Sequence, residues 1–230
     1  MPGEQLPLSI GRAAPRRLPA RIRPMQPTGV DAPFDDDEYW FEPWWPGVRA
    51  QAFVEGGRLR LAAEGLNDAL AALPELADLP GLLTADGVVL DGTLLVLDGD
   101  GRPDAELLRR RLAEGRGPGA AAFVASDLLF VNGEPLGRRA YRARRRRLEE
   151  VLRTGDRVAV GRGHPAEGLL MAEALRELGV AELSARRLGS RYRAGSAGAS
   201  WLRAPTVMPG AAPVADRRPS LALIMRLPLD

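Results

Sequence analysis

Hydrophobic and polar positions change rhythm several times along this chain, and each change predicts an element. Trp40, Val48, Ala50, Ala52 and Val54 alternate with polar or small residues, the two-residue period of a half-buried strand. Glu55-Gly56-Gly57 is a turn, and Arg58-Leu59-Arg60-Leu61 returns as the second strand of a hairpin. Residues 66–79 carry apolar positions at helical spacing; Asn67 or Asp68 can cap, and Pro74 interrupts the middle. Residues 88–97 form a long strand run, closed by the turn Asp98-Gly99-Asp100-Gly101. Residues 104–114 predict a short helix capped by Asp104, and 121–131 a mostly apolar strand ending at the Asn132-Gly133 turn.

Further on, residues 138–153 predict an arginine-heavy helix with Tyr141, Leu148, Val151 and Leu152 as its buried stripe. Residues 158–160 read as a short strand, and 165–178 as an amphipathic helix with Pro165 at its start and Gly179 at its end. Residues 180–188 and 199–202 read as strands around a Gly/Ser turn, and 221–225 allow one terminal strand. Strand pairs interleaved with helices imply a mixed, largely antiparallel α+β fold. Residues 1–24, rich in Pro and Arg without an apolar period, read as a disordered arm. The domain proper spans 25–204, and 205–230 form a C-terminal tail; there is no internal repeat.

At 230 residues, 45% hydrophobic and 27% charged, the chain can build a core without staples. It has no cysteine, which excludes disulfides, thiolate metal sites and thiol nucleophiles. A single histidine, His164, argues against a histidine-rich metal site or triad; between Gly163 and Pro165 it reads as an exposed loop residue. The 98–101 turn has aspartates but lacks the ligand spacing and closing glutamate of a calcium loop. No apolar run is long enough for a membrane span, and the N-terminus has no apolar signal segment, so the default location is cytoplasmic.

The sequence contains no lysine: all 32 basic residues are arginine. Abundant Ala, Gly, Arg and Pro suggest a GC-rich genome, which would itself exchange lysine codons for arginine. The formal charge is only +2, but seven arginines fall between 138 and 147. Of these, Arg142, Arg144, Arg145, Arg146 and Arg147 are candidates for contacting DNA phosphates; the alternative is a solvated helix face paired with nearby Asp and Glu.

Six segments in order, over about residues 24–203, resemble the adenylation domain of ATP-dependent DNA ligases. Trp40-Phe41-Glu42-Pro43-Trp44-Trp45-Pro46-Gly47-Val48-Arg49-Ala50 is similar to the family's Phe-Glu-Pro-Lys-Trp-Asp-Gly-Val-Arg-Ala. Leu90-Asp91-Gly92-Thr93-Leu94 is similar to Leu-Asp-Gly-Glu-Leu, and Val124-Ala125-Ser126-Asp127-Leu128-Leu129 to Val-Ala-Phe-Asp-Leu-Leu. Residues 181–187 stand where the family has Glu-Gly-Leu-Val-Ala-Lys-Arg. Ser190-Arg191-Tyr192-Arg193-Ala194-Gly195 and Trp201-Leu202-Arg203 resemble Ser-x-Tyr-x-Pro-Gly and Trp-Leu-Lys. The resemblance implies a DNA ligase/mRNA capping enzyme-like nucleotidyltransferase fold, ATP and Mg2+ as cofactors, and a following oligonucleotide-binding barrel, for which too few residues follow Leu202.

The resemblance also implies a defect. In the family a lysine amine attacks the α-phosphate of ATP, and Trp44, which has no nucleophilic atom, stands in its place. Pro46 replaces an aspartate, Thr93 a ribose-contacting glutamate, Ser126 an aromatic beside the base, and Ala181 a metal-assisting glutamate. Arg186 and Arg203 replace phosphate-contacting lysines and keep the charge, as a planar fork. Glu42, Trp44, Arg49, Thr93, Ser126, Arg186 and Arg203 are therefore the candidate remnants of a nucleotide pocket, with no catalytic residue and no metal ligand among them. For Glu42 and Arg49 the alternatives are a solvated turn residue and a strand-edge ion pair. Asp91 and Asp127 read as turn and structural hydrogen-bonding residues, Tyr192 and Trp201 as core. The leading expectation is an inactive ligase-like protein that binds nicked or double-stranded DNA, a DNA-repair protein or another partner. The alternatives are an active ligase with an unusual nucleophile or a partner subunit, and a noncovalent ATP sensor.

Overall fold

The computed structural model describes residues 17–196, 198–208, 210 and 219–225. In chain order its elements are β1 (Thr28–Gly29), β2 (Asp36–Pro43), β3 (Val48–Glu55), β4 (Arg58–Ala63), three short 3-10 turns, β5 (Val88–Leu97), α1 (Ala105–Glu114), β6 (Ala120–Val131), β7 (Glu134–Pro135), α2 (Tyr141–Val151), β8 (Val158–Val160), β9 (His164–Ala166), α3 (Gly168–Glu177), β10 (Glu182–Arg187), β11 (Trp201–Pro205) and α4 (Leu221–Ile224). The strands form two sheets. One runs β4-β3-β5-β6-β7 with β8 beside β6; the other runs β1-β11-β10-β2-β9. All pairings are antiparallel except β1 with β11 and β6 with β8, so the mixed, largely antiparallel α+β expectation holds.

The two-residue period decides what each strand does. Along β5, Val88, Leu90, Leu94 and Val96 join the largest core cluster, which packs under the 3-10 turns, α1 and α2. The alternate positions are Val89, Asp91, Thr93 and Leu95: apolar at both ends, polar in the middle. Gly92 lies between them because β6 passes so close; a Cβ there would lie 2.3 Å from the Val124 carbonyl oxygen. In the smaller sheet, Phe41, Leu183, Ala185 and Ala204 pack with α3 in a second core cluster. Glu42, Ser184, Arg186, Trp201 and Arg203 occupy the alternate positions, and these are polar or amphipathic. Each sheet thus keeps one polar stretch within an otherwise apolar pattern.

The hairpin at 48–61, the strand at 88–97 and the helix after Asp104 form as the sequence implies. Asp104 accepts hydrogen bonds from the amides of Glu106 and Leu107, each at 2.9 Å. Asn132 and Gly133 both take positive φ, 51° and 73°, as the tight turn requires.

Four expectations are corrected. Residues 66–79 are not an α-helix but the 3-10 turns Leu70–Ala72, Pro74–Leu76 and Leu79–Leu82; Pro74 and Pro80 supply no amide hydrogen to an i→i−4 ladder, while Leu73, Leu76 and Leu79 still reach the core. Pro165 does not open α3 but sits in β9, where His164 pairs with Phe41, so His164 is a half-buried strand residue. Trp40 belongs to β2, a separate strand from the 48–55 hairpin arm. Residues 221–224 are helical rather than a strand, with Ser220 capping and Ile224 buried.

The arm expected over 1–24 lies outside the described residues up to 16; residues 17–24 are placed on the protein. Leu18 and Ile22 pack against Phe53, Val89 and Leu129. Much of the 205–230 tail is likewise outside the described residues. Among the described residues, no helix is long and apolar enough to cross a membrane.

Gly92→Ala is expected to destabilise the fold by about 1–3 kcal/mol, because the backbone it would meet cannot step aside. Gly99→Ala, in a turn with nothing within 4 Å, is expected to stay within about 0.5 kcal/mol of the parent. Urea midpoints of the two variants check the contrast.

Candidate functional site

The polar stretches of the two sheets face one cavity of about 200 Å3. Glu42 at the end of β2, Ser184 and Arg186 on β10, and Trp201 and Arg203 on β11 come from the smaller sheet. Arg49 on β3, Thr93 on β5 and Ser126 on β6 come from the larger. Gln26, Pro27 and the 43–47 turn, with Trp44 and Trp45, complete the lining. Strand register explains the grouping: Ser184 lies opposite both Glu42 and Arg203, Arg186 opposite Trp201, and Arg49 opposite Thr93. Ser126 is the extra residue of a β-bulge, since Gly92 pairs with Ala125 while Asp91 pairs with Asp127. The bulge lets two consecutive residues, Ser126 and Asp127, approach the same guanidinium.

That guanidinium is Arg186. Its Nε donates to Glu42 Oε1 at 3.0 Å and its Nη2 to Ser126 Oγ at 3.0 Å, while Nη1 lies 4.0 Å from Asp127 Oδ2. Burial works against the Arg186 charge, but Glu42, Tyr141, Asp127 and Asp91 outweigh it and hold the group above the usual arginine range. Asp127 is gripped from α2 by both forks of Arg144, Nε to Oδ1 at 2.8 Å and Nη2 to Oδ2 at 2.7 Å. Arg145, one residue on, donates to the Gly161 carbonyl and to Glu149, and lies 3.7 Å from Glu42 Oε2. Tyr141 donates to the Ser126 carbonyl at 3.1 Å.

A second carboxylate, Asp91, is fully buried in mid-strand. Its Oδ2 accepts from Arg49 Nη2 at 2.6 Å and from the Tyr192 hydroxyl at 2.6 Å; that hydroxyl in turn accepts from the Met25 amide at 2.9 Å. Aromatic rings line the rest of the cleft. Trp201 donates its indole N–H to Ser184 Oγ at 2.8 Å, and the guanidinium carbons of Arg49 and Arg186 lie 4.0 and 4.2 Å from its ring centroid. The Trp44 ring lies 5.8 Å from that of Trp201, tilted by 32°. Arg203 sits 4.5 Å over the Trp44 ring and pairs with Glu182. Each cleft cation, Arg49, Arg186 and Arg203, therefore has both a carboxylate and an indole partner.

All seven residues singled out from the sequence (Glu42, Trp44, Arg49, Thr93, Ser126, Arg186 and Arg203) line this cavity. Glu42 is a buried strand residue rather than a solvated one. The arginine candidates on α2 divide. Arg142, Arg146 and Arg147 are exposed, with Arg146 and Arg147 3.9 and 2.7 Å from Glu150. Arg144 and Arg145 face the interior, buried beside Asp127, Glu42 and Glu149, so they present nothing to a DNA phosphate. Ser184 was not singled out, although its alternation with Leu183 and Ala185 places it on the face of Arg186. Trp201, read as core, is both buried and part of the cleft wall.

The chain's residues 30–203 match the family model of the ATP-dependent DNA ligase domain. The chain belongs to the ATP-dependent DNA ligase family. It is 32% identical over 183 residues to the multifunctional non-homologous end joining DNA repair protein LigD of Mycobacterium tuberculosis, covering 79% of this chain and 24% of that protein. It is 33% identical over 180 residues to LigD of Pseudomonas aeruginosa, covering 76% of this chain and 21% of that protein. The chain thus spans about a quarter of the length of these relatives. Among solved structures, the ligase domain of M. tuberculosis LigD superimposes with a TM-score of 0.69 at 29% identity, over 80% of this chain and 59% of that one. The bacteriophage T7 DNA ligase complex with ATP superimposes with a TM-score of 0.51 at 16% identity, a likeness of fold alone.

Each cleft arginine has a carboxylate partner, and among the described residues no three His, Asp or Glu side chains are grouped to hold a metal ion. Two consequences of the buried network can be measured. Asp127→Ala leaves Arg144 buried without its counter-ion and is expected to cost about 3–5 kcal/mol in chemical unfolding.

The second concerns the tyrosines. All three are pushed above the ordinary phenol range: Tyr141 by burial and then Glu42, Tyr192 by burial and then Asp91, Tyr39 chiefly by burial. A phenol whose folded pKa is raised contributes stability that is complete below its unfolded pKa of about 10 and is lost as pH rises above it. The chain has neither lysine nor cysteine to titrate in this range. Tyrosinate absorbance is therefore expected to stay low past pH ~10 and to rise together with loss of the near-ultraviolet dichroism of the fold. A normal phenol titration of the folded protein would contradict the buried hydrogen bonds.

Proposed function

We propose that this chain is a non-adenylating member of the ATP-dependent DNA ligase family, and that its role is to bind DNA in break or nick repair. The observation that carries the first half is Trp44. It occupies the position at which the resemblance expects the nucleophile, its ring packs toward Trp201, and Arg203 covers it. An indole carbon framework offers no lone pair for attack on a phosphate, and no lysine exists among these 230 residues to replace it. Thr93 and Ala181 stand where the resemblance expects a ribose-contacting and a metal-assisting glutamate, and Pro46 where it expects an aspartate. The DNA-binding half draws on the family and on relatives named as non-homologous end joining DNA repair proteins.

A noncovalent nucleotide sensor is less favoured, because a triphosphate would have to displace Asp91, Glu42 and Glu182 from their arginines before gaining any charge contact. Incubation with α-labelled ATP and Mg2+ is expected to leave no label on the denatured protein. Trp44→Lys, which returns only the amine, is expected to stay unlabelled too, since the supporting carboxylates are still absent. Tryptophan fluorescence is expected to be indifferent to ATP, because Trp44 and Trp201 already have their partners. Covalent label on the parent chain would overturn the proposal; a saturable fluorescence change without label would favour the sensor.

A further inference from the structure

A basic concavity lies beside the cleft, between the docked segment 20–24 and the β3–β4 hairpin. A cavity of about 260 Å3 is lined there by four arginines, Arg21, Arg23, Arg49 and Arg60, against a single carboxylate, Glu64. The segment that supplies two of them is held from several sides. Leu18 and Ile22 pack inward on Phe53, Val89 and Leu129. Arg60 donates to the Ala20 carbonyl at 2.8 Å while lying 4.0 Å over the Phe53 ring. At the far end, the amides of Gly195 and Gln26 bond Pro24 and Ser196 at 3.1 and 3.0 Å. With Ile22 turned inward, Arg21 and Arg23 are left exposed on either side of it, and neither pairs with a carboxylate among the described residues. Contrast α2, where Arg146 and Arg147 already meet Glu150.

We propose that this concavity is a phosphate-recognition surface, and that its occupant is the sugar–phosphate backbone of a DNA strand. Fixed backbone beneath unpaired guanidinium groups reduces the ordering cost of each phosphate contact, and Arg forks match phosphate oxygens. The cavity shares Gln26 and Arg49 with the wall of the cleft, so a strand bound here runs past the mouth of that cleft. The assignment rests on the DNA-binding reading and gives it a place.

The test is fluorescence anisotropy of labelled nicked duplex and single-stranded DNA at about 50 and 200 mM salt, where phosphate contacts separate clearly. The variants are Arg21→Ala/Arg23→Ala and, as a contrast, Arg142→Ala/Arg146→Ala/Arg147→Ala. Melting curves establish that both fold like the parent; Arg23→Glu serves as an independent charge reversal. The arm variant is expected to lose at least about tenfold in affinity at the lower salt and to lower the salt slope by about 2, roughly one per phosphate contact. The α2 variant is expected to stay within about twofold. Unchanged affinity and slope in the arm variants, with the parent still binding, would overturn this assignment and leave the DNA reading standing. Absence of DNA binding by the parent at the lower salt would overturn the DNA reading and this assignment with it. Inorganic tripolyphosphate is the third probe: if it binds the parent in an Arg21- and Arg23-dependent way while neither DNA binds, the occupant is a free polyphosphate and the strand assignment is wrong.

Discussion

Arg144, Arg145 and Arg186 are more than nine-tenths buried, and the architecture around the cleft depends on how their charge is met. An isolated ion in such a place costs several kcal/mol, so each position of the surrounding carboxylates is constrained. Arg144 and Asp127 fasten α2 to β6; Arg186 and Glu42 fasten β10 to β2; Arg186 and Ser126 fasten the smaller sheet to the larger. The bulge at Ser126, the polar middle of β5 and the alternation of β10 all serve this one requirement. The protein supplies these counter-charges itself, with Glu42 Oε2 and Arg145 Nη1 left as buried atoms without a hydrogen-bond partner, 3.7 Å apart.

How much of this was legible in the sequence depended on whether a feature was local. Strand parity is local, so β5, β6 and the β3–β4 hairpin could be read from two-residue alternation. The order of motifs carried the fold, and the seven residues it singled out line one cavity, since strand register turns motif positions into neighbours. The failures have tertiary causes. Helical spacing at 66–79 reflected which leucines are buried, while Pro74 and Pro80 decided how the backbone reaches them. The arginines of α2 form one uniform run in the sequence; only the presence of Asp127 and Glu42 on other elements draws Arg144 and Arg145 inward. The segment 17–24 has the composition of a solvated arm, yet Leu18 and Ile22 find an apolar patch on the far side of β3 and β5. Composition averages over exactly the two side chains that decide that outcome.

The cleft uses its arginines in a way that lysine could not match. A lysine ammonium is a strongly hydrated point charge; a guanidinium is planar, less strongly hydrated, and can stack on an indole while its edge pairs with a carboxylate. Arg203 does both, with Trp44 beneath it and Glu182 at its edge, and Arg186 does both with Trp201 and Glu42. Trp44 would be a costly exposed ring without Arg203 over it, and Arg203 would be a half-buried cation without Trp44 and Glu182 to share it. Trp44, Trp201, Arg186 and Arg203 therefore support one another physically. Restoring an amine at position 44 alone would bring a second cation beneath Arg203 and remove its stacking surface. In the cleft as built, the packing around Trp44 works against an amine at that position.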